Sequence, residues 1–165
     1  MGMYPGGNII KVSPTISTDA YGSSDLIFDK QEIKNAVPSR GGCSLLRTIS
    51  IYANVNTDVD IGLMFFDNDT SIGAGTNEAL TNITDAEFQA AGFIGATAFD
   101  GNNASFGVGN QKVYTSRGSI DIGIPMLLKA PEGETSIWFV AMTIAGTPTY
   151  AADGLDFTFG VQYLG

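Results

Sequence analysis

The chain has 165 residues, and its formal net charge is −9 although only 15% of its residues are charged. Hydrophobic residues make up 44% of the chain and aromatic residues 10%, which excludes an intrinsically disordered protein and supports one ordinary core. The sequence contains no histidine, which excludes the commonest general base, every nucleophile arrangement that depends on histidine, and most zinc sites.

Apolar and polar residues alternate along most of the chain, and this period of two predicts β-strands because successive side chains on a strand point to opposite faces. In the first third of the chain the predicted strands are residues 9–16, 26–28 and 45–53. We interpret residues 29–37 as a strand that runs into a loop. In the third strand we expect Leu45 to share a face with Ile49, with Arg47 interrupting the apolar row.

Residues 61–66 form the next predicted strand, and the one helix that the sequence predicts follows at residues 84–91. Thr84 is expected to cap the helix, and Glu87, three residues on, completes a capping box. Gly92 is expected to end the helix, since glycine favours the backbone conformation found just after a helix.

Five more strands are predicted in the second half of the chain, at residues 93–99, 111–116, 119–124, 135–144 and 155–163. Clusters of Gly, Asn and Asp separate the strands, as tight turns require. This spacing predicts an all-β fold: a single-domain antiparallel β-sandwich, jelly-roll-like, with at most one short helix. We expect residues 1–8 to form a flexible N-terminal arm and residues 9–165 to form the sandwich domain.

Two of the predicted strands carry more apolar surface than one sandwich core needs. Met64 and Phe66 make the outer face of residues 61–66 apolar, and the strand around Trp138 is apolar on both faces. Two explanations remain open: the excess is a subunit interface, or loops or the short helix cover it.

Residues 67–78 partly match a calcium-binding loop, with Asp67, Asp69 and Ser71 at positions one, three and five and Glu78 at position twelve. Position six is Ile72 rather than glycine, and the loop follows a strand rather than a helix, so we interpret it as a polar turn between strands.

Asp58 and Asp60 are two residues apart and could project from one strand face as an acid pair. Glycosidases hold such carboxylates in a cleft and raise one pKa by burial, a setting that the sequence does not indicate. The single cysteine, Cys43, has no second cysteine to pair with and no histidine to activate it, so we interpret it as a small buried hydrophobic residue. We therefore expect no enzyme, no catalytic residues, no cofactor and no metal ion.

Charge is distributed unevenly along the chain. Residues 1–47 have a net charge of +1, residues 48–111 have −8 without any lysine or arginine, and residues 112–165 have −2. So acidic a protein repels phosphate, and we expect neither nucleic acid nor a membrane as a partner. We hypothesise that the acidic middle faces solvent and that residues 1–47 contact a partner.

A longer pattern of apolar and turn residues spans most of the chain. Its parts are Asp19-Ala20-Tyr21, Asp25-Leu26-Ile27-Phe28-Asp29, Glu32-Ile33, Asn35-Ala36-Val37, Gly41-Gly42, Leu45-Leu46, Ile49-Ser50-Ile51, Gly146-Thr147-Pro148-Thr149-Tyr150, Gly154-Leu155, Phe157 and Phe159. This pattern resembles a group of small virion structural proteins of tailed bacteriophages.

The resemblance implies a capsid decoration (cement) protein on the outside of the head, usually a homotrimer at three-fold positions of the lattice. It implies the virion, on the capsid exterior, as the location, with assembly in the cytoplasm of the bacterial host. The partners would be further copies of the chain and the major capsid protein, and we expect Lys30, Lys34 and Arg40 to contact that protein.

Two other functions remain open. One is a tail, fibre or knob component of the virion. The other is a carbohydrate-binding β-sandwich, with Trp138, Tyr114 or Tyr150 as a platform on which a sugar stacks. We expect Trp138 to be buried, because it lies in the most apolar strand.

Overall fold

The computed structural model describes residues 6–103, 105–116 and 124–164, without the side chain of Asn82. Within these residues, ten strands form two antiparallel sheets, together with one α-helix and a 3-10 turn at Leu80–Asn82. The elements are β1 (Gly7–Val12), β2 (Leu26–Ile33), β3 (Cys43–Ala53), β4 (Asp60–Phe66), α1 (Asp85–Ala90), β5 (Phe93–Phe99), β6 (Ser105–Val108), β7 (Gln111–Thr115), β8 (Met126–Lys129), β9 (Ile137–Ala145) and β10 (Leu155–Leu164).

The strand pairs are nested along the chain. β1 pairs with β10, β2 with β9, β3 with β8, and β4 with β5. One sheet, here called the large sheet, has the order β1-β10-β3-β7-β6, with β8 also beside β3, and the small sheet has the order β2-β9-β4-β5. Nested pairs in two facing sheets arise when one long antiparallel ribbon folds over itself, which is the jelly-roll arrangement. The predicted β-sandwich is confirmed, and the β6–β7 hairpin is an insertion beside the second half of β3.

The core between the sheets is a cluster of phenylalanine rings. The centroids of Phe139 and Phe159 are 4.8 Å apart, and the ring of Phe28 lies 5.3 Å from those of Phe139 and Phe157. Each of these pairs meets edge to face, the arrangement that the ring quadrupoles favour. All four rings are buried, and they come from β2, β9 and β10, three strands that the sequence predicted.

Most predicted elements are present, with shifted ends. β5 has the predicted bounds, and α1 has the predicted capping box between Thr84 and Glu87. Gly92 follows the helix with a φ of +70°, where an ideal Cβ would lie 1.8 Å from a carboxylate oxygen of Asp67. Only glycine fits that combination of backbone conformation and space.

Other predictions need correction. The first strand ends at Val12 rather than at residue 16, ahead of Pro14, which has no N–H for a ladder. It begins at Gly7, so it overlaps the predicted arm, residues 1–8, by two residues. β6 and β8 were not predicted, since four residues are too few to show a period. Of the strand predicted at residues 119–124, residues 119–123 lie outside the described residues.

A β-bulge in β3 changes the predicted face of its first residues. Gly160 of β10 pairs with Thr48, and the next residue, Val161, pairs with Leu46, so Arg47 is the extra residue. The side chain of Leu46 is fully buried, whereas that of Leu45, predicted to point inward, is only partly buried. The bulge exists because the buried positions Leu46 and Ile49 are three residues apart, and one extra residue restores the alternation.

The outer face of the small sheet is covered by residues 67–92, here called the cap. Phe66 and Val140 are fully buried beneath the cap, and Met64 and Trp138 pack partly buried against the same cluster. Of the two explanations for the apolar excess of these strands, covering by a loop and a short helix is therefore the one observed. Trp138 is less buried than predicted, because it lies at the margin of the cap.

Candidate functional site

The predicted acid pair does not form. Asp58 is bound to the ammonium group of Lys112, a residue that is 5% exposed, and the Oδ1 atom of Asp60 accepts a hydrogen bond of 2.8 Å from the N–H of Gly101. The two carboxylates therefore serve different loop contacts, and neither lies in a cleft with the other. The arrangement stabilises the loops at this end of the sandwich.

Residues 67–78, which partly match a calcium-binding loop and were interpreted as a polar turn, are bound at their start by a lysine. The Nζ atom of Lys30 donates hydrogen bonds of 2.8 Å to the main-chain oxygens of Asn68 and Ala91, and it lies 4.2 Å from the centroid of the Phe66 ring. The carboxylate of Glu78 accepts from the N–H of Gly75 in its own turn. Among the described residues, no three acidic or cysteine side chains converge as a metal site.

Burial lowers the pKa of Lys30 to about 8, and the carboxylates of Asp29, Asp67 and Asp69 act in the opposite direction. This lysine was expected to contact the partner. Its ammonium group instead ties the cap to β2, so it is not available on the surface as a docking charge.

The aromatic platform for a sugar is not available at two of its three predicted positions. Tyr114 and Tyr150 are each 1% exposed, and a buried ring has no face on which a sugar can stack. Cys43, predicted to be buried, is half-buried on the outer side of β3 opposite Lys129. None of the described helices is long and apolar enough to cross a membrane.

The two ends of the sandwich differ in charge. The acid end consists of the loops 13–25, 54–59, 100–103 and 146–154, which bond to one another through Tyr21 and Pro148 and through Asn54 and Gly154. Among the described residues of these loops, the ionisable carboxylates are Asp19, Asp25, Asp58, Asp100 and Asp153. The only basic side chain that reaches them in the described part is that of Lys112, at the start of β7.

The mixed end, opposite, consists of residues 34–42 and 129–136. Main-chain hydrogen bonds join Gly41 to Glu134 and Ala130 to Gly42 across these two segments. Lys34, Arg40 and Lys129 are exposed here beside two exposed acids, Glu132 and Glu134. A groove of about 630 Å³ opens between them, and its lining residues are Arg40, Gly41, Asp67, Ile94, Leu127, Lys129, Ala130, Pro131 and Glu132.

The outer face of the large sheet, here called the open face, carries exposed apolar side chains. No described segment covers it, and the exposed fraction is 65% for Ile9, 48% for Phe106, 50% for Val108 and 53% for Leu127. Most of the large apolar side chains that the described part exposes lie on this one face. Apolar side chains concentrated in this way indicate an interaction surface.

Two cations flank the most exposed of these side chains. Lys11 follows Ile9 by two residues on β1 and points from the same face, and Arg47 stands at the bulge across from it. Between them is a hollow of about 350 Å³ over Gly160, which has no side chain to fill it. Ile9 therefore lies between a lysine and an arginine on a surface that is otherwise poor in charge.

The cap carries a second, smaller groove with one acidic residue at its rim. Its floor is apolar and half-buried, its volume is about 270 Å³, and its lining residues are Met64, Leu80, Ile83, Thr84, Asp85 and Phe88. Asp85 is exposed at the start of α1, and Glu87, two residues on, is exposed but turns its carboxylate back to Thr84 in the capping box. Hydrogen bonds from Thr84 lower the pKa of Glu87, which keeps this carboxylate ionised.

Comparison with known proteins adds little to these observations. The chain matches no protein-family model and no curated protein. It is similar to the solved structure of Cocksfoot mottle virus, with a TM-score of 0.35 and 12% sequence identity over 95% of this chain and 93% of that one. It is similar to that of Desmodium yellow mottle tymovirus, with a TM-score of 0.29 and 12% identity over 98% of this chain and 82% of the other. Likeness at this level says nothing about what the chain does.

Sequence reasoning missed the open face. β6, which carries two of the exposed side chains, was not predicted as a strand. The sequence also does not show that Ile9 points outward, because it lies next to Ile10 in an apolar segment. One signal was present: the three-residue step from Leu46 to Ile49 places Arg47 at a bulge, and bulges re-aim side chains at functional surfaces.

Proposed function

We propose that this chain is a capsid decoration protein, which binds the outer surface of a tailed-bacteriophage head as a homotrimer and stabilises the lattice of the major capsid protein. Its place is the capsid exterior of the virion, after assembly in the cytoplasm of the bacterial host. It acts by binding and catalyses no reaction.

The proposal rests on the resemblance in sequence and on one structural observation, the contrast between the two ends of the sandwich. A protein that stands on a lattice needs one end that tolerates close contact and another that stays solvated. The mixed end carries three cations beside two carboxylates and has a groove, whereas the acid end carries carboxylates that favour water over a protein interface. We assign the mixed end to the head.

The mixed end includes only some of the residues within 1–47 that were expected to contact the major capsid protein. Lys34 and Arg40 lie at the mixed end, whereas Lys30 holds the cap and Lys11 belongs to the open face. The contact is small, but many copies on a lattice gain from multivalency, so no deep single site is required.

The test is the occupancy of heads that lack the protein, after incubation with purified variants. We expect Lys34→Glu and Arg40→Glu together to lower occupancy by about tenfold or more at physiological salt, because reversed charges at a contact repel acidic groups that they previously attracted. Electron microscopy of the same heads counts the bound copies and shows whether they stand on the head surface.

A matched control places new negative charges at the acid end, with Thr147→Glu and Thr149→Glu, both exposed. This control is expected to bind as the natural chain does. Binding of the natural chain to tails or fibres alone, or equal occupancy by the mixed-end variant and the control, would contradict the proposal.

A further inference from the structure

We propose that copies of this chain bind one another head to tail, with the Ile9 patch of the open face (Ile9, Lys11 and Arg47) seated on the acid-rimmed groove of the cap of the next copy. The proposal names the contact behind the homotrimer and rests on that part of the proposed function. It does not depend on binding to a head.

The Ile9 patch has the properties of a contact that buries an apolar centre inside a charged rim. Ile9 is the most exposed large apolar side chain in the described part, at 65%. Its neighbours Lys11 and Arg47 point from the same face, and the one carboxylate that points outward from β10, Asp156, is hydrogen-bonded to Ser13. Asp156 keeps its negative charge, so two cations stand against one carboxylate, and the patch has a net positive charge on a chain whose net charge is −9.

The cap groove has the complementary properties. Its floor consists of half-buried apolar side chains, including Leu80, Ile83 and Phe88, and the carboxylate of Asp85 stands at its rim. A branched aliphatic side chain such as that of Ile9 fits an opening of about 270 Å³. Seating it there brings the two cations of the patch towards the Asp85 carboxylate and fits apolar surface to apolar surface.

The symmetry of the contact follows from where the two surfaces lie. The Ile9 patch is on the outer face of the large sheet and the groove is on the outer face of the small sheet, so one copy cannot use both against the same neighbour. A contact between two different patches is heterologous, and copies joined in this way form a ring when the rotation between them closes. Two Ile9 patches facing each other would instead bring four cations together.

The experiment measures the mass of the purified chain in solution by analytical ultracentrifugation, without heads. The patch variant carries Lys11→Glu and Arg47→Glu. The groove variant carries Asp85→Lys and Gln89→Lys, which lie one turn apart on α1 and leave the capping box intact. We expect the natural chain to associate, and each variant alone to associate ~100-fold more weakly, about tenfold for each altered charge.

Mixing the two variants distinguishes a heterologous contact from any other. The patch variant keeps an intact groove and the groove variant keeps an intact patch, so an equimolar mixture is expected to associate although neither variant does so alone. A groove variant that associates by itself, a mixture that stays monomeric, or a natural chain that is monomeric at all concentrations would overturn the proposal.

The control variant carries Lys34→Glu and Arg40→Glu, which change the net charge as the patch variant does but at the mixed end. It is expected to associate normally and to fail on heads. If the natural chain associates as described but does not bind heads, the contact between copies stands and the proposed function is refuted. Failure of the contact and failure of the proposed function are therefore distinguishable. Thermal unfolding of each variant confirms that it is folded.

Discussion

Two neighbouring tyrosines in the core differ in how their hydroxyl groups are satisfied. The rings of Tyr21 and Tyr150 are 5.9 Å apart, and each residue is 1% exposed. The hydroxyl of Tyr21 donates to the main-chain oxygen of Ile27 at 3.1 Å and accepts from the N–H of Ser17 at 2.8 Å. The hydroxyl of Tyr150 is buried without a hydrogen-bond partner in the described part of the chain.

This difference predicts opposite effects of one substitution. Tyr150→Phe removes a buried polar group that gains nothing from burial and is expected to leave the free energy of unfolding unchanged or raise it by about 1 kcal/mol. Tyr21→Phe removes two hydrogen bonds and is expected to lower it by about 1–2 kcal/mol. Urea unfolding of both variants measures the difference, and equal destabilisation by the two substitutions would contradict the assignment.

The same buried phenols predict how stability depends on alkaline pH. Burial raises the pKa of Tyr114 to about 12 and raises that of Tyr150 further still. Tyrosines in the unfolded chain ionise near pH 10. Above that pH the folded chain therefore binds more protons than the unfolded chain, and the free energy of unfolding falls as the pH rises.

Lys30 has the opposite effect on the free energy of unfolding, which it makes rise with pH over a lower pH range. Its pKa is about 8 in the folded chain against 10.5 normally, so between these values the unfolded chain binds more protons and stability rises with pH. The measurement is the urea midpoint of unfolding from pH 7 to pH 11.5. In Tyr150→Phe the fall in the midpoint above pH 10 is expected to become smaller, and in Lys30→Met the rise in the midpoint from pH 8 is expected to disappear. Superimposable curves for the natural chain and both variants would refute this account.

At the scale of elements, the cap is attached to the small sheet at its middle and at its two ends. Main-chain hydrogen bonds join the middle, residues 77–80, to Ser24 and Leu26, and α1 lies over the apolar cluster around Phe66 without a fully buried residue of its own. Lys30 is the one described side chain of β2 that hydrogen-bonds to both ends of the cap, through the main-chain oxygens of Asn68 and Ala91. We infer that Lys30 determines how firmly these two ends are held.

Lys30→Met is therefore expected to loosen the cap selectively. Methionine keeps much of the apolar stem but loses the two hydrogen bonds and the contact with the Phe66 ring. Because methionine also avoids the cost of burying an ammonium group, the effect on global stability is expected to be small, and the loss of the two bonds acts on the ends of the cap. Amide hydrogen exchange should become faster in residues 67–92 while β9 and β10 stay protected. Lys34→Met, at an exposed lysine, is the control, and an equal change in exchange for both variants would argue against the anchor.

At the scale of the whole molecule, the sandwich separates surfaces with different chemistry. The mixed end, the acid end, the open face and the cap point in different directions, because a jelly roll sends its loops to two ends and leaves one face of each sheet outward. In this chain one outward face is covered and the other is not. The proposed binding to a lattice and the proposed association between copies use separate surfaces, so the charge reversals at Lys34 and Arg40 and those at Lys11 and Arg47 are expected to affect one interaction each.

Much of the fold could be predicted from the sequence alone. The inner row of β10 and the capped helix α1 follow from the order of a few neighbouring residues, since a strand alternates its faces and a capping box spans only Thr84 to Glu87. The same locality explains the errors. β8 is too short to carry a pattern, and the three-residue step from Leu46 to Ile49 hints at the bulge, but only the pairing of β3 with β10 identifies Arg47 as the extra residue.

The candidate surfaces were decided by the tertiary structure. The acidic residues of the cap and the apolar residues 61–66 are close in sequence, but only folding shows that the cap covers Phe66 and leaves Ile9 bare. Lys30 was expected on the surface and lies under the cap, because its partners Asn68 and Ala91 are far along the chain. The sequence by itself determined the sandwich, since local patterning selects strands, whereas contacts between distant segments decided which faces remain open to a partner.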